Sequence, residues 1–166
     1  MAEKNNVTES IRDYFDSQNW KYRYDEDKGL FRMFMHIRVD DVDACEVRTI
    51  VRDERRFTTF VTFPFRVPEK KRAIAASFIS RANYKLLLGC FEMDYRDGEI
   101  QYKTTCLCGN IRLEPQYIER QVDVGIQMAE QYGAGLVDVL FRGASVEEVI
   151  AEIERREEED REDSED

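Results

Sequence analysis

The chain has 166 residues, of which 42% are apolar and 36% charged, and its formal net charge is −10. That apolar fraction can build a core, so the composition excludes a wholly disordered chain, and the length fits one domain with a tail. No apolar run approaches the ~20 residues that span a bilayer, and the opening MAEKNNVTES is too polar for a signal peptide, so a soluble cytoplasmic protein is expected.

The acidity is local. Residues 147–166 hold 12 acidic and 3 basic residues, while the rest of the chain is nearly neutral. A run such as REEEDREDSED repels itself, so residues 158–166 are expected to be an acidic, disordered, solubilising tail.

The first helix is predicted over 7–18, with Val7, Ile11, Tyr14 and Phe15 on one face and a capping box from Asn6 and Glu9. Trp20 follows and covers the helix end. A short strand at 21–24 and a turn ending at Gly29 come next. Three longer strands then alternate with period two. In the first, Phe31, Met33, Met35, Ile37 and Val39 alternate with Arg32, Phe34, His36 and Arg38. In the second, Cys45, Val47, Thr49 and Val51 alternate with Glu46, Arg48, Ile50 and Arg52. In the third, Phe57, Thr59, Val61 and Phe63 alternate with Thr58, Phe60 and Thr62. Short polar loops between such runs mean antiparallel strands with one face on a core.

Pro68 opens a helix striped by Ala75, Phe78, Ile79 and Ala82 and stopped near Asn83. A hairpin follows, Phe91, Met93 and Tyr95 leading into an Asp97-Gly98 turn and then Ile100, Tyr102 and Thr104. Pro115 opens a long helix ending at Gly143. Gly133 and Gly135 inside it mark a kink or a close approach. Ser145 and Glu148 form a second capping box, starting a helix with Val146, Val149, Ile150 and Ile153. The domain reading is a body over 1–143, a short amphipathic helix over 144–157 and the tail over 158–166. The fold class is α+β, an antiparallel sheet of about five strands with helices packed on one face.

The run from Phe65 to Thr105 resembles the bacterial YbjN family. The matching residues are Val67-Pro68-Glu69, Arg72, Asn83-Tyr84, the leucines Leu86, Leu87 and Leu88, Gly89, Phe91-Glu92, Asp94, Asp97-Gly98-Glu99 and Tyr102. A looser likeness extends from about Thr8 to Phe141. The resemblance implies a fold like the type III secretion chaperones, a tendency to dimerise and a role in regulating sensory transduction. It brings no catalytic residue. The segment after Gly143 and the run Cys106-Leu107-Cys108-Gly109 depart from the pattern.

Catalytic chemistry has little to stand on. The sequence contains no phosphate-binding glycine loop and no nucleophile elbow. A single histidine, His36, lies in a strand without ligand-spaced neighbours, and the four cysteines Cys45, Cys90, Cys106 and Cys108 form no C-x-x-C pair. Glu92 and Asp94 share a strand face, where cross-strand pairing with Gln101 and Lys103 is the plainer role than metal binding. Neither metal nor cofactor is expected.

The strand face turned away from the helices is not simply polar. Phe34, Ile50 and Phe60 stand among Arg32, Arg48 and Arg52. Either the last helices or a second subunit cover this face, or it docks a partner. The leading functional expectation is a non-enzymatic module, a homodimer in family terms, that holds a protein or extended peptide in signalling or stress regulation. The alternative is single-stranded nucleic acid, with bases stacked on Phe34 and Phe60 and phosphates on the arginines; the acidic tail and neutral body weigh against it.

Overall fold

The computed structural model describes residues 7–109 and 113–164. Among them, four helices and six strands follow the order α1 (Val7–Ser17), β1 (Arg23–Asp25), β2 (Leu30–Val39), β3 (Val42–Asp53), β4 (Arg56–Arg66), α2 (Arg72–Asn83), β5 (Cys90–Met93), β6 (Glu99–Leu107), α3 (Pro115–Val137) and α4 (Val146–Ser164). The class is α+β, and every strand pairing is antiparallel.

Helix α1 buries its predicted stripe, Val7, Ile11, Tyr14 and Phe15. Its end is closed by Trp20, whose N–H donates to the Phe15 carbonyl at 3.0 Å and whose indole lies edge-on to Tyr14. The proposed cap at Asn6 lies outside the described residues. The alternating positions of β2, β3 and β4 place Phe31, Met33, Val47, Val61 and Phe63 in one core with Phe91, Ile100 and Tyr102 from the hairpin.

Strand order is β1-β2-β3-β4-β6-β5. Pairing in sequence order would set β5 beside β4. Instead the nine-residue β6 takes the inner place and the four-residue β5 becomes the edge. The longer arm buries more apolar surface in the central position, with Ile100 and Tyr102 fully enclosed there.

A 3₁₀ turn, Glu69–Lys71, precedes α2, so the α-helix starts at Arg72 rather than directly at Pro68. Helix α3 runs unbroken through Gly133 and Gly135. Both glycines permit close approach: a Cβ at Gly133 would sit 3.1 Å from Phe63, and one at Gly135 would sit 2.5 Å from Val149. The helix ends in a π turn, Asp138–Arg142, closed by Gly143 at φ 78°. The side chain of Lys71 donates to the Leu140 carbonyl there.

Helix α4 packs on α2 and α3 and buries Val146, Ile150 and Ile153. Its apolar stripe is therefore spent within the chain, and it leaves the far face of the sheet uncovered. Ser145 Oγ accepts from the Glu148 N–H at 3.4 Å, as a cap should. The helix does not stop near 157 but continues through Ser164. Arg155 and Arg156 bridge to Glu152 at 2.8 and 2.9 Å, and Arg155 also reaches Glu159. These one-turn pairs offset the repulsion that net charge alone would suggest. Residues 165 and 166 of the expected tail lie outside the described residues.

Candidate functional site: the open face of the sheet

Strand alternation sets one row of side chains per pair of residues on the face opposite the helices. One row is Phe34, Glu46, Thr62, Gln101 and Glu92. The next is Arg32, Arg48, Phe60, Lys103 and Cys90, with Arg23 of β1 opposite Arg32. A third runs Leu30, Ile50, Thr58 and Thr105.

Like charges directly opposite each other destabilise a sheet, and the second row brings Arg23, Arg32 and Arg48 side by side. The neighbouring row supplies the compensation. Glu46 takes Arg32 at 3.0 Å and Arg48 at 3.4 Å. Arg48 also donates to Gln101 Oε1 at 2.6 Å and to Thr62 Oγ1 at 3.2 Å, and reaches Glu99 at 3.4 Å. Glu99 is held from its other side by Arg66 at 2.7 Å. Gln101 donates to Glu92 at 2.7 Å, and Lys103 pairs with the same carboxylate. Glu92 thus does the cross-strand work expected of it. Asp94 instead binds Arg96 in the turn, whose guanidinium and backbone N–H hold its carboxyl at about 2.

The six residues singled out in the sequence fare differently. Phe34 is 70% exposed. Ile50 is half-buried, and Arg32 and Arg52 are exposed. Phe60 is only 8% exposed, although it lies outside the helix-side core. The Arg48 guanidinium sits 5.5 Å from its ring centroid, a cation–π contact that helps close the ring off. The three apolar residues therefore form no continuous stripe: Ile50 and Phe60 are diagonal neighbours on β3 and β4, but Glu46, Arg32 and Arg48 stand between them and Phe34. Phe60 offers no open ring face on which a base could stack. Leu107, which continues the Gln101, Lys103, Thr105 alternation, is exposed on this face and was overlooked; that alternation was the signal for it.

Burial pushes the Cys45 thiol up to about 12, and burial followed by neighbouring Cys106 does the same to Cys108, so both stay protonated at neutral pH. Among the described residues no His, Cys, Asp and Glu group could hold a metal ion. His36 is exposed, with Nδ1 3.2 Å from the Asp43 carbonyl oxygen. On α3, burial and then Glu119 raise the Asp123 carboxyl beside a shallow cavity of about 420 Å³, but neither thiol nor histidine lines it. A larger groove of about 820 Å³ runs along α3, with Leu86, Val124, Met128 and Ile153 in its walls. No described helix is long and apolar enough to cross a membrane.

The family model described as "Putative bacterial sensory transduction regulator", YbjN, matches residues 8–137. The chain belongs to the YbjN family. No curated protein matches its sequence. Among solved structures it is similar to that described as "Crystal structure of YbjN, a putative transcription regulator from E. coli", with a TM-score of 0.56 and 7% identity over 77% of this chain and 89% of that one. It is also similar to a chain of the "HopA1-SchA Chaperone-Effector Complex", with a TM-score of 0.51 and 11% identity over 81% and 99% of the two chains. At these identities the likeness is one of fold, and the fold is type III secretion chaperone-like.

Three of the YbjN motif residues, Arg72, Asn83 and Gly98, are architectural. Arg72 donates to the Val67 carbonyl at 3.3 Å and the Tyr95 carbonyl at 2.9 Å, tying the start of α2 to the hairpin turn. Asn83 does more than stop α2: its carboxamide accepts from the Phe91 N–H at 2.8 Å and donates to the Phe91 carbonyl at 2.9 Å. It thereby stands in for a neighbouring strand at the centre of the β5 edge. Gly98 packs against the Val67 backbone with no room for a side chain. The family signature thus largely joins α2 to the β5–β6 hairpin, and it reaches the open face through Glu92 and Glu99.

Proposed function

We propose that this YbjN-family chain is a non-enzymatic, chaperone-like regulatory protein of the cytoplasm that holds a protein or extended peptide on the open face of its sheet. Phe34 is the apolar anchor, Ile50 a secondary one, and Arg32, Arg48 and Arg52 supply charge around them. Phe60 acts from below, as the platform on which Arg48 rests. The observation that carries this reading is the placement of all four helices away from that face, leaving a large aromatic side chain 70% exposed beside a shared ion network. The chaperone–effector neighbour supports it at the level of fold.

Capture from a lysate of the native cell tests it. Phe34→Asp replaces an exposed side chain, sets a carboxylate opposite Glu46 and should lower the unfolding free energy by no more than about 1 kcal/mol. Specific capture should fall at least tenfold. Equal capture by the two proteins would remove the open face from consideration.

We also propose self-association, through the connection between α2 and β5 rather than through α4. Leu87 is 97% exposed there, between an exposed Tyr84 and an exposed Leu88. Light scattering should find a dimer whose mass halves in Leu87→Asp. A mass unaffected by the substitution, whether monomer or dimer, rejects this surface.

A further inference from the structure

Sheet edges carry unpaired backbone groups and are usually blocked. Both edges of this sheet show side-chain blocks, and the gap between them is specific. At the β5 edge, Asn83 occupies Phe91. At the other edge, β1 pairs only with residues 30–32 of β2. Further along β2, the Glu130 carboxylate accepts from the Arg38 backbone N–H at 2.9 Å and from its guanidinium at 3.1 Å.

The ladder states which groups are left. The Val51 N–H donates to the Gly29 carbonyl at 2.9 Å, which makes Gly29 and Val51 a hydrogen-bonded pair. Antiparallel pairs alternate. With the register Leu30 to Ile50 through His36 to Ala44, the residues Phe34 and His36 turn both backbone groups away from β3. They fall between the end of β1 and the Glu130 block. Phe34 also has the exposed ring, so one residue offers free backbone and free apolar surface together.

We infer that residues 33–37 of β2 are a strand-addition site for a short extended segment of a partner that carries acidic residues next to aromatic or branched apolar ones. This rests on the partner-binding reading and names the edge and the chemistry. The backbone groups of Phe34 and His36 pair with the segment, and Phe34 packs against its apolar side chain. At the β1 end, Arg23 and Arg32 lie opposite each other, and the nearby carboxylate of Glu46 is already shared between Arg32 and Arg48, so an acidic residue of the segment completes the charge balance. A second copy fits poorly. Its β2, laid antiparallel about an axis at Met35, would set its Arg38 opposite Arg32 and run its β2–β3 turn into the place of β1.

The test is titration of the isotopically labelled full chain with an acetylated heptapeptide that alternates glutamate with valine and phenylalanine, and with its counterpart bearing lysine for glutamate. The glutamate peptide should bind saturably in the millimolar range or better, and more tightly than the lysine peptide at low salt. Its binding should slow amide exchange of Phe34 and His36 about tenfold. His36→Pro removes an outward donor without touching the β3 ladder and should weaken binding about tenfold. The exchange measurement on the parent protein decides whether or not His36→Pro folds. Lack of saturable binding, unchanged exchange at Phe34 and His36, or protection of the same amides by concentration alone each overturns the inference, the last by making a second copy the occupant. If Phe34→Asp abolishes lysate capture while His36→Pro leaves the peptide affinity intact, the edge fails and the open-face reading stands.

Discussion

Gly98→Ala should destabilise the protein by about 3 kcal/mol or more, lowering its unfolding midpoint by roughly 10 °C. Two effects combine at this position. Its φ of 79° lies in the left-handed region, where an alanine costs about 1 kcal/mol or more. An added Cβ would also stand 2.2 Å from the Val67 carbonyl oxygen and 2.8 Å from the Val67 nitrogen. Those atoms are backbone, and they are committed: the Val67 N–H donates to the Gly98 carbonyl at 2.9 Å, and Arg72 binds the Val67 oxygen. Relief would require parting the hairpin turn from the strand that leads into α2. Gly143→Ala is the matched control, since its φ is 78° but nothing lies within 4 Å of an added Cβ. Urea or thermal unfolding of the two variants separates strain from clash. Equal losses would show that the contact at Val67 contributes nothing.

Asn83→Ala should cost about 2 kcal/mol and, in addition, change the association behaviour of the protein. The substitution removes two hydrogen bonds of good length and leaves the Phe91 N–H and carbonyl without their partner at a sheet edge. Asn83→Asp should not rescue it, because a carboxylate can accept from the N–H but repels the carbonyl oxygen. Unfolding in urea reads the first effect. Light scattering against concentration reads the second, as growth beyond the size of the parent protein. A variant with parental stability and size would mean that the Asn83 bonds are incidental to the edge.

Both predictions fall on motif residues, and that bears on how function should be sought in this family. A signature concentrated at the α2–hairpin junction identifies the fold efficiently. It is uninformative about the partner, because the side chains left free for binding, Phe34 and Ile50, lie on strands whose pattern many antiparallel sheets share. Substitutions at buried or hydrogen-bonded motif residues such as Gly98 and Asn83 will lower activity through stability. Only those on exposed residues such as Phe34 can separate binding from stability.

The site was legible in part. Alternation correctly assigned Phe34, Ile50 and Phe60 to one face of the sheet, with Arg32 and Arg48 beside them. It could not tell that Phe60 is closed off while Phe34 is open, because that depends on the register of β3 against β4, which sets Arg48 opposite Phe60. Nor could it reveal that β6 intervenes between β4 and β5, bringing Gln101 into reach of Arg48. The edge blocks were hidden for the same reason: Asn83 meets Phe91 across a short loop, but Glu130 meets Arg38 across most of the chain.

What the sequence determined by itself was everything governed by period and turn chemistry. The stripes of α1, α2 and α3, the faces of β2 to β4, the Asp97-Gly98 turn and the cap at Ser145 are consequences of residues within a few positions of each other. Strand order, the seating of α4 on α3 through Gly135 and the identity of the free edge were decided only by the tertiary structure. Each turns on which of several sterically allowed partners buries more surface or leaves fewer polar groups unpaired, and that comparison exists only once distant segments are brought together.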